Sequence, residues 1–149
     1  MKRINEYKRL FNIEKDIDLK TLKTTYRSLV KEWHPDKFAQ DDERKMEAEQ
    51  KSRQIIDGYH FLVSIAPETI TANQDDYNTT INESNISEYK HKGLLLEVTF
   101  LDGSTYEYFG VPKNVYTKLI NSDKQLRFAR RNIFNTYLYR KIKKSQEVA

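Results

Sequence analysis

Apolar side chains recur at helical spacing over residues 4–65, and no glycine interrupts them before Gly58. Tyr7, Leu10 and Phe11 fit a short first helix. Leu19, Leu22, Tyr26, Leu29 and Trp33 fall on one face of a second helix, for which Asp18 is a suitable N-cap. Pro35 disfavours helical backbone at His34, so this helix should stop there. Ile55, Tyr59 and Leu62 keep the spacing in a third helix, expected over about residues 42–64. Asp41, Asp42 and Glu43 would place negative charge at its positive end. Two long helices joined by a loop should pack as an antiparallel hairpin, with the first helix laid across them.

Residues 66–85 are polar and weakly patterned, and are expected to form a linker with at most a short helical turn. The period then changes. Alternation runs from Leu94 to Phe100 and again over Thr105-Tyr106-Glu107-Tyr108-Phe109, with Asp102-Gly103 between as a hairpin signal. Ile86 to Tyr89 supplies a further strand, and Pro112 suits the first turn of a helix carrying Val115, Tyr116, Leu119 and Ile120. Residues 125–144 are expected to be partly helical. The fold class is therefore mixed: an all-α helical hairpin over residues 1–65, a polar linker over 66–85, and a small α+β domain with an antiparallel sheet over 86–149.

Composition narrows the function. Of 149 residues, 38% are hydrophobic and 32% charged, so each domain has only a small core. There is no cysteine, which excludes disulfides, thiolate metal sites and a cysteine nucleophile. His34, His60 and His91 lack metal-ligand spacing, and no glycine-rich phosphate loop or nucleophile motif is present. No metal, cofactor or enzymatic activity is expected. The N-terminus turns polar at once and no run approaches the roughly 20 apolar residues of a membrane helix, so a cytoplasmic protein without a membrane partner is expected. The net charge of +4 hides an asymmetry: residues 113–149 hold ten Lys/Arg against two acids, a net +8, and the remainder carries −4. Such a tail suits an anionic partner, although it is also what an ordinary solvated surface looks like.

The second helix carries Lys20, Lys23, Arg27 and Lys31 on one narrow stripe away from its apolar face, and His34-Pro35-Asp36-Lys37 follows immediately. A histidine before a proline is ordinarily loop chemistry, and a basic stripe ordinarily a wet face; their order and spacing say more. Tyr26-Arg27-Ser28-Leu29-Val30-Lys31-Glu32-Trp33-His34-Pro35-Asp36-Lys37 resembles the second helix and loop of a J domain of the DnaJ family, and residues 51–62 resemble the end of its third helix. The resemblance covers about 60 residues. It implies a co-chaperone that stimulates ATP hydrolysis by a DnaK-type heat-shock chaperone. Lys20, Lys23, Tyr26, Arg27, Lys31 and Lys37 would meet the chaperone beside His34, Pro35 and Asp36. In the family the aspartate perturbs polar contacts at the chaperone's interdomain linker, the proline holds the loop and the histidine positions it. The chain departs from the pattern at Ser52, where many J domains bury a phenylalanine, and at Phe38, where Asn or Arg is common; no Gln-Lys-Arg-rich fourth helix is recognisable after Ser64.

Leu96-Glu97-Val98-Thr99-Phe100, Gly103, Tyr106-Glu107-Tyr108, Val111-Pro112, Val115-Tyr116 and the later Tyr137-Leu138-Tyr139-Arg140 resemble the KTSC domain, whose hallmark is a central Tyr-x-Tyr. For that domain RNA binding has been suggested. Arg127, Arg130, Arg131, Arg140 and Lys141 near Tyr137 and Tyr139 suit it, since aromatic faces stack bases and cations neutralise phosphates. Tyr106 and Tyr108, two apart, share a sheet face and suit packing better. Two readings follow. In one the C-terminal domain supplies target binding, of a client protein or an RNA, to a co-chaperone; in the other the chain is an RNA- or tRNA-binding protein with a secondary J domain.

Overall fold

The computed structural model describes residues 2–38 and 43–142. The chain divides into two compact units between residues 69 and 70. In the first, α1 (Lys2–Leu10), α2 (Leu19–Trp33) and α3 (Glu43–Ile65) are the three helices the apolar spacing predicts. Asp18 is extended and caps α2, accepting from the Lys20 N–H at 3.3 Å and the Thr21 hydroxyl at 2.8 Å. The Thr21 bond holds its carboxyl below the usual carboxylate range. His34, ahead of Pro35, is extended at φ −62°, ψ 127° and ends α2. Leu22, Ala48, Ile55, Phe61 and Leu62 are buried. Across the α2–α3 seam the rings of Tyr26 and Tyr59 stack at 4.0 Å. α1 lies against α3 where Gly58 leaves room, since a Cβ there would stand 2.7 Å from Cδ1 of Tyr7. Glu43 occupies the first turn of α3; Asp41 and Asp42 lie outside the described residues.

The expected polar linker over 66–85 is not what the chain forms. α4 (Pro67–Ala72) begins one residue after α3, and α5 (Gln74–Glu83) follows. The Glu68 carboxylate accepts from the Leu19 N–H at 3.0 Å, satisfying a free donor in the first turn of α2. A helix therefore does follow α3, although it is not the basic one of the family pattern. α5 buries Tyr77, Thr80 and Ile81 in the second unit. Their i, i+3, i+4 spacing is helical, but three such side chains among Asn, Asp and Thr leave a weak sequence signal.

The second unit is built on an antiparallel sheet in the order β1 (Ile86–Lys92), β2 (Leu95–Phe100), β3 (Thr105–Phe109), β4 (Leu138–Ile142). Leu96, Val98, Phe100, Tyr106 and Tyr108 form its buried inner face. Tyr77 and Ile81 from α5, Leu119 from α6 (Lys113–Ile120) and Ala129 from α7 (Gln125–Asn132) close the core, with Ile133 and Phe134 beyond α7. The hairpin signal is realised: Gly103 turns the chain at φ +93°. Asp102 accepts from the Ser104 N–H and the Thr80 hydroxyl, both at 2.8 Å, which ties α5 to the turn. Burial alone would raise the Asp102 carboxyl, but these bonds outweigh it and leave the group below its usual range. The expectation of partial helix over 125–144 holds for α7, whereas 138–142 pairs with β3, Tyr139 opposite Tyr108 and Arg140 opposite Glu107. Lys143 and Lys144 lie outside the described residues.

Candidate functional site

α2 delivers Lys20, Lys23, Arg27 and Lys31, all exposed, along one side of the helix. Tyr26 is half-buried on the seam with Tyr59, so its ring is a packing element that also borders the stripe. Beyond Trp33 the chain makes one 3-10 turn over Pro35–Lys37. Pro35 sits at its first position, where the missing N–H costs nothing and the fixed φ suits the turn. The Lys37 N–H donates to the His34 carbonyl at 3.0 Å, and the Phe38 N–H to the Pro35 carbonyl at 3.1 Å.

His34 caps this turn with its side chain. Its Nδ1 accepts from the Asp36 N–H at 3.2 Å. A ring nitrogen that accepts carries no proton, so in the neutral ring the proton lies on Nε2. The Asp36 carboxylate lies 3.6 Å from the same Nδ1, and its side chain is 87% exposed against 51% for His34. The loop thus holds a carboxylate out in water at the end of a row of cations, on a backbone fixed by three hydrogen bonds. Lys37 is exposed beside it.

Beside the loop lies a hollow of about 280 Å³ lined by Trp33, Phe38 and Glu47 among others. Lys51 Nζ stands 5.7 Å from the Trp33 ring centroid. Sequence reasoning registered Phe38 only as a departure from a family pattern. The signal that it lines a hollow was its apolar side chain directly after an otherwise charged loop.

The second unit divides the residues proposed for nucleic acid. Arg127, Arg131 and Lys141 are exposed and Tyr137 is half-buried. Arg130 is half-buried, donating to the Ile81 and Asn82 carbonyls at 2.6 and 2.7 Å and so capping the C-terminal end of α5, and it lines a groove together with Arg127. Arg140 donates to Glu107 at 2.6 Å, the two side chains 16% and 9% exposed. Tyr139 is stacked on Tyr77 at 3.8 Å and 10°, and its hydroxyl is buried. These three side chains are structural. The seven residues are not gathered into one surface.

The Tyr-x-Tyr pair faces the core. The Tyr77 hydroxyl donates to the Phe134 carbonyl at 2.6 Å and lies 3.0 Å from the Tyr108 hydroxyl. With its proton committed to the carbonyl, Tyr77 accepts from Tyr108. Burial raises both phenols well above 10, and Tyr106 to about 12.

Among the described residues no group of three His, Asp or Glu side chains could hold a metal ion, and no helix is long and apolar enough to cross a membrane. Comparison with known proteins adds two matches in order along the chain. Residues 6–67 match the family model for the DnaJ domain, and residues 82–137 the model for the KTSC domain. Similar proteins include the co-chaperone protein HscB homolog of Colwellia psychrerythraea, 49% identical over 59 residues, which are 38% of this chain and 34% of that one. The homolog of the same description from Shewanella denitrificans is 48% identical over the same shares. The chaperone protein DnaJ of Thermotoga maritima is 35% identical over 57 residues, 38% of this chain and 15% of that one. The matched stretch thus spans about a third or less of these curated relatives.

Proposed function

In a chain that carries a DnaJ domain followed by a KTSC domain, we propose that the first stimulates ATP hydrolysis by a DnaK-type chaperone and the second supplies target binding. The observation that carries the reading is the exposed Asp36 carboxylate, held on a hydrogen-bonded turn at the end of the Lys20, Lys23, Arg27 and Lys31 stripe. The similarity of this stretch to proteins described as co-chaperones supports it from a separate direction. In the proposed mechanism the cations steer the encounter with an acidic surface and set its orientation, which acts mainly on the association rate. Asp36 then enters the partner's polar contacts, and His34 holds the turn that presents it.

The test is single-turnover ATP hydrolysis by the DnaK-type chaperone with this protein or its Asp36→Asn variant. The wild type is expected to accelerate hydrolysis, and the variant, which keeps the size and loses the charge, to lose about tenfold of that acceleration, on the order of 1.4 kcal/mol. No acceleration by saturating wild type would refute the reading. The nucleic-acid alternative has less support, because Arg130, Arg140 and Tyr139 are committed to internal partners.

A further inference from the structure

The second unit carries a groove of about 650 Å³ between α7 and the start of β1. Ile86, Tyr89, Leu101 and Leu126 supply its apolar lining, Lys124, Arg127 and Arg130 its charge, and no carboxylate lines it. Leu101 is 68% exposed. The groove is braced from both sides, for the Tyr89 hydroxyl of β1 donates to the Gln125 side-chain carbonyl of α7 at 3.1 Å.

One side of the groove is a sheet edge. β1 pairs with β2 alone, and among the described residues no strand lies on its other side. Its register shifts between Ile86 and Glu88, so that Ile86 opposes Phe100 and Tyr89 opposes Val98, both inward-facing residues of β2. Without the extra residue, positions three apart would face opposite sides of the sheet. The bulge aims both side chains at the groove.

An edge strand beside a helix, with a trough of apolar and cationic lining between, offers an extended chain both backbone partners and pockets for alternate side chains. We propose that this groove binds an extended acidic peptide segment, which adds to β1 as a fifth strand. Its apolar side chains rest on Ile86, Leu101 and Leu126, and its carboxylates face Lys124 and Arg127. A nucleic acid fits the groove less well: the one aromatic ring in its lining, Tyr89, is fastened to Gln125 rather than free to stack on a base, and an open strand edge offers its backbone partners to an extended peptide. The proposal rests on the target-binding half of the function proposed above and names the chemistry of the target.

The test is fluorescence anisotropy of a labelled peptide of about ten residues, long enough to span β1, alternating valine and glutamate. It is titrated with the full chain and with the Leu101→Glu and Arg127→Glu variants. Both substitutions change exposed side chains, and near-ultraviolet circular dichroism verifies that the fold is retained. The wild type is expected to bind the alternating peptide at least tenfold more tightly than either variant does, and more tightly than it binds a peptide with the same residues in two blocks. Hydrogen exchange at the outer amides of β1 is expected to slow on binding. No binding of the alternating peptide at millimolar concentration, or binding indifferent to both substitutions, overturns the proposal. So does Arg127-dependent binding of an oligouridine of about ten nucleotides without β1 protection, which would make the groove a nucleic-acid site. No ATPase enters this assay, and Asp36→Asn is expected to bind the peptide like the wild type. Failure here and failure of the co-chaperone reading are therefore separate results.

Discussion

The two units present their recognisable residues in opposite ways. In the first, His34, Asp36 and the cations of α2 stand in water, and the chain is built to hold them there. In the second, the hallmark Tyr106 and Tyr108 are buried, at 1% and 0% exposure. A sequence signature of the first kind reports what the surface does, because nothing in packing requires a carboxylate at Asp36. A signature of the second kind reports how a small core is filled. The KTSC match therefore speaks to a fold and not to a partner.

The comparison can be broken at its strongest point. If the tyrosines are structural, Tyr77→Ala removes a ring that stacks on Tyr139 and a hydroxyl bonded to Phe134 and Tyr108. The second unit is expected to lose about 4 kcal/mol, enough to unfold a domain of this size. Two-dimensional NMR should show collapsed dispersion for 74–142 and unchanged chemical shifts in α2 and α3. Persistence of a dispersed second unit would mean that its aromatic core is not what holds it.

Alkali tests the same core more gently. An unfolded chain releases its tyrosine protons near pH 10, whereas burial keeps Tyr77 and Tyr108 protonated in the fold to higher pH. Their contribution to stability is thus complete below pH 10 and declines above it. Each accounts for up to about 1.4 kcal/mol per pH unit, roughly 3 kcal/mol for the pair. Denaturant melts at rising pH should show the second unit failing first, since it holds both of these buried phenols. Simultaneous failure would contradict the contrast.

The smallest effect belongs to the first unit. Gly58→Ala places a Cβ 2.7 Å from the Tyr7 ring. Overpacking costs about 2 kcal/mol, and alanine's better helix propensity returns about 1. A net loss of about 1 kcal/mol is expected, with faster hydrogen exchange in α1. Stabilisation instead would mean that α1 yields freely and that Gly58 is no requirement of the packing.

What the sequence disclosed follows the same division. The helices of the first unit were legible because Leu22, Tyr26, Leu29 and Trp33 repeat at one period and Pro35 marks an end. The loop was legible because its chemistry is carried by consecutive residues. α5 was not, because Tyr77, Thr80 and Ile81 acquire their meaning only from the sheet they cover. β4 was obscured by Arg140 and Lys141, whose charge reads as a wet tail. For the same reason Arg130 and Arg140 looked available: a sequence displays a cation but not the Ile81 carbonyl or the Glu107 carboxylate that engages it. The groove beside β1 left only two of its cations, Arg127 and Arg130, as a trace, since its lining comes from three separated stretches of chain and one bulge.

Trp33 has a practical consequence. It is the chain's single tryptophan, it immediately precedes the loop, and Lys51 sits 5.7 Å from its ring. Indole emission responds to nearby charge and to exclusion of water, so the protein carries an intrinsic optical reporter at the foot of the residues proposed to engage the ATPase. Encounter kinetics could be followed on the unlabelled chain by stopped-flow fluorescence, with no dye added to the surface under study.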